Sequence, residues 1–583
     1  MSGWTGKILQ VDLSERSVTT LSLPDDVYRQ YLGGRGLAGY FLQDATDFEW
    51  DDPKMPLALC TGPLTGTTTP ASGHVIFATR SPLTGAHLDE SVGGKLGTQI
   101  KAAGFDAVVI TGSASSWVGL EIRNSDVRIA DATSLLNKDT IEAANALYQF
   151  NAHAVIGPAA HSGVRFSSVL VDRYHGAFRG GMGLGFAAKK LKYIGVTGSR
   201  SATVSNETLL QGAAEDIRRL TAASSILKGE NGIANLGTAA LFDLIHTRRM
   251  MPTANFRRTF FDAAAKLNAA QISETFEVES FGCSGCHISC RKRQTNATGL
   301  PDYEALAHFS ALLENDSLRT TVSANALCAQ LGMDPISAAV SLACYGEIRG
   351  ITLNGEQILE LLTDIAAGKG EGKMLGQGSL RYATKAGRPE CAMTVKGLEI
   401  PAFDPRGAFG LALAYVTSTR GACHLRALPL SHEILRKPVA TDRFSFSGKA
   451  RIIKIAEDQI ALVDSLTTCP HLMLAASMEE YAQALTAVTG LELTTADLTQ
   501  VGERIYYSER MRNALWGFDA REDDLPHRFF NEAGTSGPAF DVPPISRNEF
   551  LEARQRYYTV RGLDENGMPR QDVAKRLGLK WKN

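Results

Sequence analysis

The chain has 583 residues, 44% of them hydrophobic and 21% charged, which is enough for two or three domains with full cores. Sixty Lys and Arg against 62 Asp and Glu leave a net charge of −2, so there is no basic field of the kind that nucleic-acid binders carry. The longest apolar runs, such as AFGLALAYV (408–416), are too short to span a bilayer, and the N-terminus MSGWTGKILQVDLS lacks a cleavable-signal pattern, so a cytoplasmic protein is expected.

The first 200 residues read as β-rich. Residues 7–13 (KILQVDL) and 17–23 (SVTTLSL) flank the polar turn SER as a hairpin does. Further strands are predicted at 74–79, 106–112, 118–123, 127–131 and 193–198. Glycine is dense in LGGRGLAG, CTGPLTG, SVGGKLG and FRGGMGLG, which marks sharp turns or close approach of the backbone to a ligand. GGMGLG is a weak match to a dinucleotide fingerprint, because no βαβ strand and spaced acidic residue accompany it. From about residue 205 the pattern turns helical. Asp334 as cap and Pro335 at the first position start a helix predicted over 334–350, and another is predicted over 356–370. A second glycine- and arginine-rich passage (403–424) precedes more helices. No sequence repeat or low-complexity tract is evident. The expected fold class is α+β, with a β-rich N-terminal domain (1–205) followed by two mainly α-helical domains (206–393 and 394–583).

FGCSGCHISC (281–290) sets Cys283, Cys286 and Cys290 at C-x2-C-x3-C spacing, on a helix or tight loop that points three sulfurs into one small volume. Nine cysteines, odd in number and with three clustered, favour metal ligation in a reducing compartment over a disulfide framework. Two chemistries use such a cluster: zinc, with His287 or a fourth cysteine completing the site, and a [4Fe–4S] cube on four thiolates. The spacing alone does not choose between them. Cys328 and Cys344 lie on apolar helical patterns and read as core.

Together these passages resemble the aldehyde:ferredoxin oxidoreductase family of tungsten or molybdenum enzymes. The similarity runs through GGRGLAGYFL (33–42), TGPLTGTTTPASG (61–73), RSPLTG (80–85), FRGGMGLGFAAKKLKYIGVTG (178–198) and the cysteine cluster. It continues through PDYEALAHF (301–309), LEIPAFDPRGA (398–408), RGACHLR (420–426) and VGERIYYSERMRN (501–513). The resemblance implies a β domain that supports two pterin cofactors, with two helical domains closing over it. It also implies a fourth cluster ligand, Cys469 in DSLTTC (464–469), so that Cys283, Cys286, Cys290 and Cys469 hold one [4Fe–4S] cube beside a pterin. The tungsten or molybdenum is expected to be held by pterin sulfurs alone. The implied cofactor grip consists of His74, Ser91, Gly93, His175, Gly176, Phe178, Arg179, Arg426, Asp464 and Thr468, with Mg2+ bridging the pterin phosphates. Glu304 and His424 match the family's acid/base pair, a glutamate acting toward water and a histidine donating to a carbonyl oxygen.

The implied activity is interconversion of aldehydes and carboxylic acids, with electrons leaving to ferredoxin or a small iron–sulfur subunit. Homodimer and hetero-oligomer both stay open, and with no E-x-x-H pair a metal bridging subunits is not expected. Several positions depart from the family pattern. Ala329 stands in place of a pterin-gripping aspartate, and Thr467 and Thr468 in place of Gly-Leu. His74 and His175 replace arginines near two phosphates, and Ser91 replaces an asparagine. These changes leave room for an aryl-CoA (benzoyl-CoA-type) reductase subunit on the same scaffold. In a different class, the alternative is a zinc-stabilised, non-enzymatic binding module.

Overall fold

The structure, a computed structural model, describes residues 1–295 and 299–580. Its N-terminal part holds twelve strands in two sheets. The first sheet contains β1 (Ile8–Asp12), β2 (Ser17–Leu21), β3 (Leu57–Cys60), β4 (Val75–Arg80), β5 (His87–Val92) and β6 (Ala107–Thr111), in the order β2-β1-β6-β3-β4-β5. The second contains β7 (Val118–Arg123), β8 (Asp126–Asp131), β9 (Ala152–Ile156), β10 (Val169–Val171), β11 (His175–Ala177) and β12 (Leu191–Thr197), in the order β8-β7-β12-β9-β10-β11. Adding six to each strand of the first sheet gives the second. The pairing directions repeat as well: β1 with β6 and β7 with β12 are parallel, and the remaining neighbours are antiparallel. The β region is therefore duplicated in topology, although the sequence shows no repeat.

Strand alternation explains how the first sheet, apart from its exposed edge strand β2, is buried on both faces. Leu9, Val11, Leu57, Leu59, Phe77, Val108 and Ile110 pack toward Leu120, Ala154, Ile156 and Ile194 of the second sheet. Their neighbours Ile8, Ala58, Cys60, Ile76, Ala78, Ala107 and Val109 face helices instead. On that side lie α1 (Gly34–Leu42) and two long helices, whose Ala461, Leu462, Val501 and Ile505 share the same core. The edge strands β5 and β11, which correspond under the duplication, lie next to each other.

The helical remainder begins at Glu207 and supplies α2 (Tyr303–Phe309), α3 (Leu318–Leu331), α4 (Pro335–Arg349), α5 (Lys449–Ser465) and α6 (Thr495–Leu515). α4 starts as its residues dictate, with the Asp334 carboxylate accepting from the backbone N–H of Ile336 and Ser337 and Pro335 at the first position. The ends of α3 and α5 dock on the two sheets in the same way. Ser168, just before β10, donates its N–H to Gly332 O at 2.8 Å, and His74, just before β4, donates to Thr467 O at 3.2 Å. Gly332 and Thr467 both have positive φ, +76° and +57°. Gly332 adopts this conformation freely, while the β-branched Thr467 is strained there and is tied down by a 2.5 Å contact between its hydroxyl and that of Thr65. No helix among the described residues is long and apolar enough to cross a membrane.

Gly502 lets α5 and α6 touch backbone to backbone, since a Cβ there would lie 2.1 Å from Asp458 O. We predict that Gly502→Ala destabilises the chain by roughly 1–3 kcal/mol, read as a lower thermal-unfolding midpoint. An unchanged midpoint would mean that the two helices separate freely.

Candidate active site

Of the two expected settings, helix or tight loop, the three clustered cysteines take the loop. They occupy the 282–290 connection of a two-stranded hairpin, β13 (Val278–Phe281) and β14 (Arg291–Gln294). Cys469 follows α5 and is fixed to the β domain by its N–H, which donates to Ala71 O at 3.0 Å. All four cysteines are free and half-buried, and Cys286, Cys290 and Cys469 pack against the core shared by the first sheet and the long helices. Burial pushes the Cys283 thiol up to about 12, and the neighbouring charges of Cys469, Cys290 and Cys286 act in the same direction. Its three neighbours thus disfavour ionisation of Cys283, and a cationic centre would relieve that repulsion.

Among the described residues, the one group of three His, Cys, Asp or Glu ligand atoms within 4.8 Å of one another is His87, Asp89 and Glu509. The four cysteines do not supply a second group that close. The backbone makes room for them: a Cβ on Gly93 would meet Cys283 Sγ at 2.3 Å. His175 Nδ1 lies 4.0 Å from the same sulfur, and His74 Nδ1 lies 3.0 Å from Ser91 Oγ. Burial lowers the pKa of both imidazoles, to about 4 for His74 and about 3 for His175.

On α2, Glu304 turns its carboxylate inward. Oε2 accepts from Ala402 N–H at 2.7 Å, while Oε1 has no hydrogen bond and lies 3.3 Å from His424 Nε2. Burial raises the Glu304 pKa to about 8; Asp334 and Asp302 add to the rise, and the Ala402 N–H and Arg179 oppose it. His424 is held well below its ordinary value by burial and by the charges of Arg179 and Arg420. Its ring lies 5.3 Å from that of Phe403, which itself packs on Tyr303. Arg179 belongs to this group rather than to the His74–His175 corner. It donates to Glu399 O at 2.5 Å and Ala422 O at 3.2 Å, and its buried Nη1 makes no hydrogen bond, with Asp334 Oδ2 3.7 Å away.

A buried charge cluster lies on the helix-facing side of the first sheet. Arg35 of α1 forms a fork with both oxygens of Glu509 on α6, at 2.6 and 2.7 Å. Asp464 near the end of α5 receives Arg35 Nη1 at 3.4 Å and Arg426 Nη1 at 3.3 Å. Arg426 also reaches Asp89 Oδ1 on β5 at 2.8 Å, and Arg420 pairs with Glu90. Burial alone would raise the Asp89 carboxyl, but Arg426 and Arg35 hold it well below the usual carboxylate range. Because arginines already neutralise Asp89 and Glu509, the His87–Asp89–Glu509 group is an ion-pair junction rather than a metal site. Thr468 is buried beside this cluster, its hydroxyl donating to Val463 O. Gly176 and Phe178 flank Ala177 of β11, where a Cβ on Gly176 would meet the Phe178 ring at 2.8 Å.

The expected site residues therefore fall into three neighbouring groups around the edge of the first sheet. Ala329, in the segment corresponding to Asp464, offers only its carbonyl, which accepts from Thr140 Oγ1 at 2.7 Å. The sequence reading did not single out Arg35, His87, Asp89, Glu90, Arg420 or Glu509 as site residues. The available signal was the alternation in HLDESV, which puts His87, Asp89 and Ser91 on one face of β5.

Comparison with known proteins follows the same organisation. Residues 8–198 match the model of the aldehyde ferredoxin oxidoreductase N-terminal domain, and residues 213–579 match that of its domains 2 and 3. The chain is 32% identical over 608 residues to the tungsten-containing aldehyde ferredoxin oxidoreductase of Pyrococcus furiosus, covering 99% of each protein, and equally similar to that of Thermococcus kodakarensis. It is 26% identical to the WOR-like subunit of an aliphatic sulfonate oxidoreductase from P. furiosus, covering 99% of this chain and 97% of that one. In fold it matches the active site complex BamBC of benzoyl coenzyme A reductase with 1,5-dienoyl-CoA, with a TM-score of 0.85 at 20% identity, over 99% of this chain and 97% of that one.

The contact between Gly93 and Cys283 leads to a direct test. Gly93→Ala drives a methyl group into the sulfur and should lower the metal bound per chain, as measured by elemental analysis. Undiminished metal would show that the cysteine loop moves aside.

Proposed function

The chain belongs to the aldehyde ferredoxin oxidoreductase family, and on that premise we propose that it is a tungsten- or molybdenum-bispterin oxidoreductase interconverting aldehydes and carboxylic acids. In this reading electrons leave through one [4Fe–4S] cube to ferredoxin or an iron–sulfur partner subunit. The observation that carries the proposal is the approach of Cys469, from beyond α5, to Cys283 on the hairpin, in a chain that also buries a Glu304–His424 pair.

The residues fit the proposed groups. Four free, half-buried thiols, three on the hairpin and one after α5, suit a cube on Cys283, Cys286, Cys290 and Cys469. Two sheets of the same topology, each receiving a helix end in the same way, suit two copies of one cofactor. Buried donors that make no hydrogen bond, Arg179 Nη1, Arg420 Nε and Arg426 Nε, suit an anionic, hydrogen-bonding guest. Asp464, Thr468 and Arg426 would grip it at the α5 end, and His74 and His175 near the thiols. Ser91, Gly93, Gly176 and Phe178 lie in or next to the adjoining edge strands β5 and β11 and would hold the Mg2+.

When bound, the metal–pterin group supplies a two-electron redox couple. The chain's own part is proton management. Glu304 Oε1, free of hydrogen bonds, is the atom placed to take a proton from water or an aldehyde hydrate. Its pKa of about 8 means that it holds a proton at neutral pH and becomes a base as the pH rises through that value. His424 stays uncharged and presents Nε2 beside the same oxygen, where it can donate to a carbonyl. Tyr303 and Phe403 are buried beside His424 and make its surroundings apolar.

Three outcomes test this reading. Oxygen-protected protein should contain about four irons and one tungsten or molybdenum per chain, and Cys469→Ala should lose the iron; one zinc and no iron would refute it. Glu304→Gln should lower aldehyde turnover by roughly 10²–10⁴-fold with metal content unchanged. The wild-type rate should climb with pH and level off above about 8, a limb that the Gln variant should lack. Benzoyl-CoA turnover without aldehyde turnover would instead favour the aryl-CoA reading.

A further inference from the structure

The corner beside the thiols holds two histidines where the resemblance leads one to expect fixed positive charge. His74 is tied to Ser91, and His175 sits over Gly93 and Cys283. A Cβ on Gly93 would lie 3.3 Å from His175 Nδ1, so this is a close-packed corner.

A third side chain reaches the same place from another element. Arg291 is the first residue of β14, directly across the hairpin from Phe281, whose ring packs on His175 at 6.0 Å. Its side chain is 28% exposed, and its charge acts on His74, His175 and the sulfurs of Cys290, Cys283 and Cys469. One arm, Nη1, donates to Asp302 Oδ2. Among the described residues no hydrogen-bond partner is found for Nε or Nη2, the pair of donors that grips a phosphate in a fork. Asp302 precedes α2 and also accepts from Thr238 Oγ1 at 3.1 Å, so the carboxylate aims the guanidinium while being held itself.

We propose that Arg291 is the fixed cation that binds the phosphate monoester of the pterin lying against the first sheet, in a site shared with His74 and His175. The charge that the family places on the β domain is thereby moved onto the cysteine hairpin. This rests on the reading that the space holds phosphate-bearing pterins. It adds a link between cofactor and cluster: the hairpin that carries three cube ligands also grips the pterin.

The test uses anaerobically purified holoenzyme of the wild type, Arg291→Ala, Arg291→Lys and the double variant Arg291→Ala/His74→Arg. Pterin released after oxidation, group-six metal and iron are each counted per chain, before and after a high-salt wash. Arg291→Ala should lose pterin and group-six metal in the wash roughly tenfold faster than the wild type while keeping its iron. Lysine should be intermediate, and arginine at position 74 should restore retention. Equal retention in Arg291→Ala, or no rescue by His74→Arg, overturns the assignment. Iron falling in step with pterin also overturns it, because Arg291 would then merely shape the hairpin. Wild-type protein with neither pterin nor group-six metal would sink the functional reading itself, an outcome distinct from these.

Discussion

The buried junction of Arg35, Asp89, Arg426, Asp464 and Glu509 is the constraint on which the rest of the molecule depends. It joins α1, β5, the 420–426 loop, α5 and α6, and the side chains of its two arginines and three carboxylates are almost wholly removed from solvent. Ion pairs of this kind contribute little net stability, yet breaking one strands a buried charge at a cost of about 3–5 kcal/mol. Their effect is therefore on registry. α5 can dock on the first sheet only where Asp464 meets both guanidiniums, and that docking places Cys469, five residues on, beside Ala71. The position of the fourth thiol is thus set by electrostatics some distance from it.

Duplication supplies the frame for this junction, and the asymmetry laid on it supplies the function. α3 and α5 end on their sheets through the same backbone hydrogen bond, made by the residue preceding β10 and β4. At the α5 end Asp464 draws in two arginines. At the α3 end Ala329 has no charge to offer, and the acidic group of that segment is Asp334, which caps α4 and lies 3.7 Å from Arg179. One half of the molecule is therefore rich in buried charge and adjoins the thiols, while the other turns toward Glu304 and His424.

How much of this the sequence revealed follows from what each element faces. Strands at 107–111 and 118–123 and the helices at 335–349 and 355–367 bury apolar faces and carry ordinary caps, and they were legible. β5 was not read as a strand. Its His87, Asp89 and Ser91 point at the site, so the alternation that marks a half-buried strand runs between apolar residues and buried polar ones. β9 to β11 are short, and His175 and Gly176 gave β11 the look of a loop. The duplication left no trace in sequence because backbone pairing, not side chains, preserves it. The cysteine spacing announced a cluster but not its hairpin, and Cys469, Glu304 and His424 stood out only through the family resemblance.

The titration behaviour of the site ties its parts together. Cys283, Glu304 and Asp464 are each pushed toward their neutral forms by burial, whereas Asp89 and Glu509 are kept ionised by arginines. The junction is thus kept charged by its own ion pairs, whereas burial holds Cys283 and Glu304 toward their neutral forms. A cluster held by all four cysteines would join a hairpin near residue 286 to a segment at 469, more than 180 residues away along the chain.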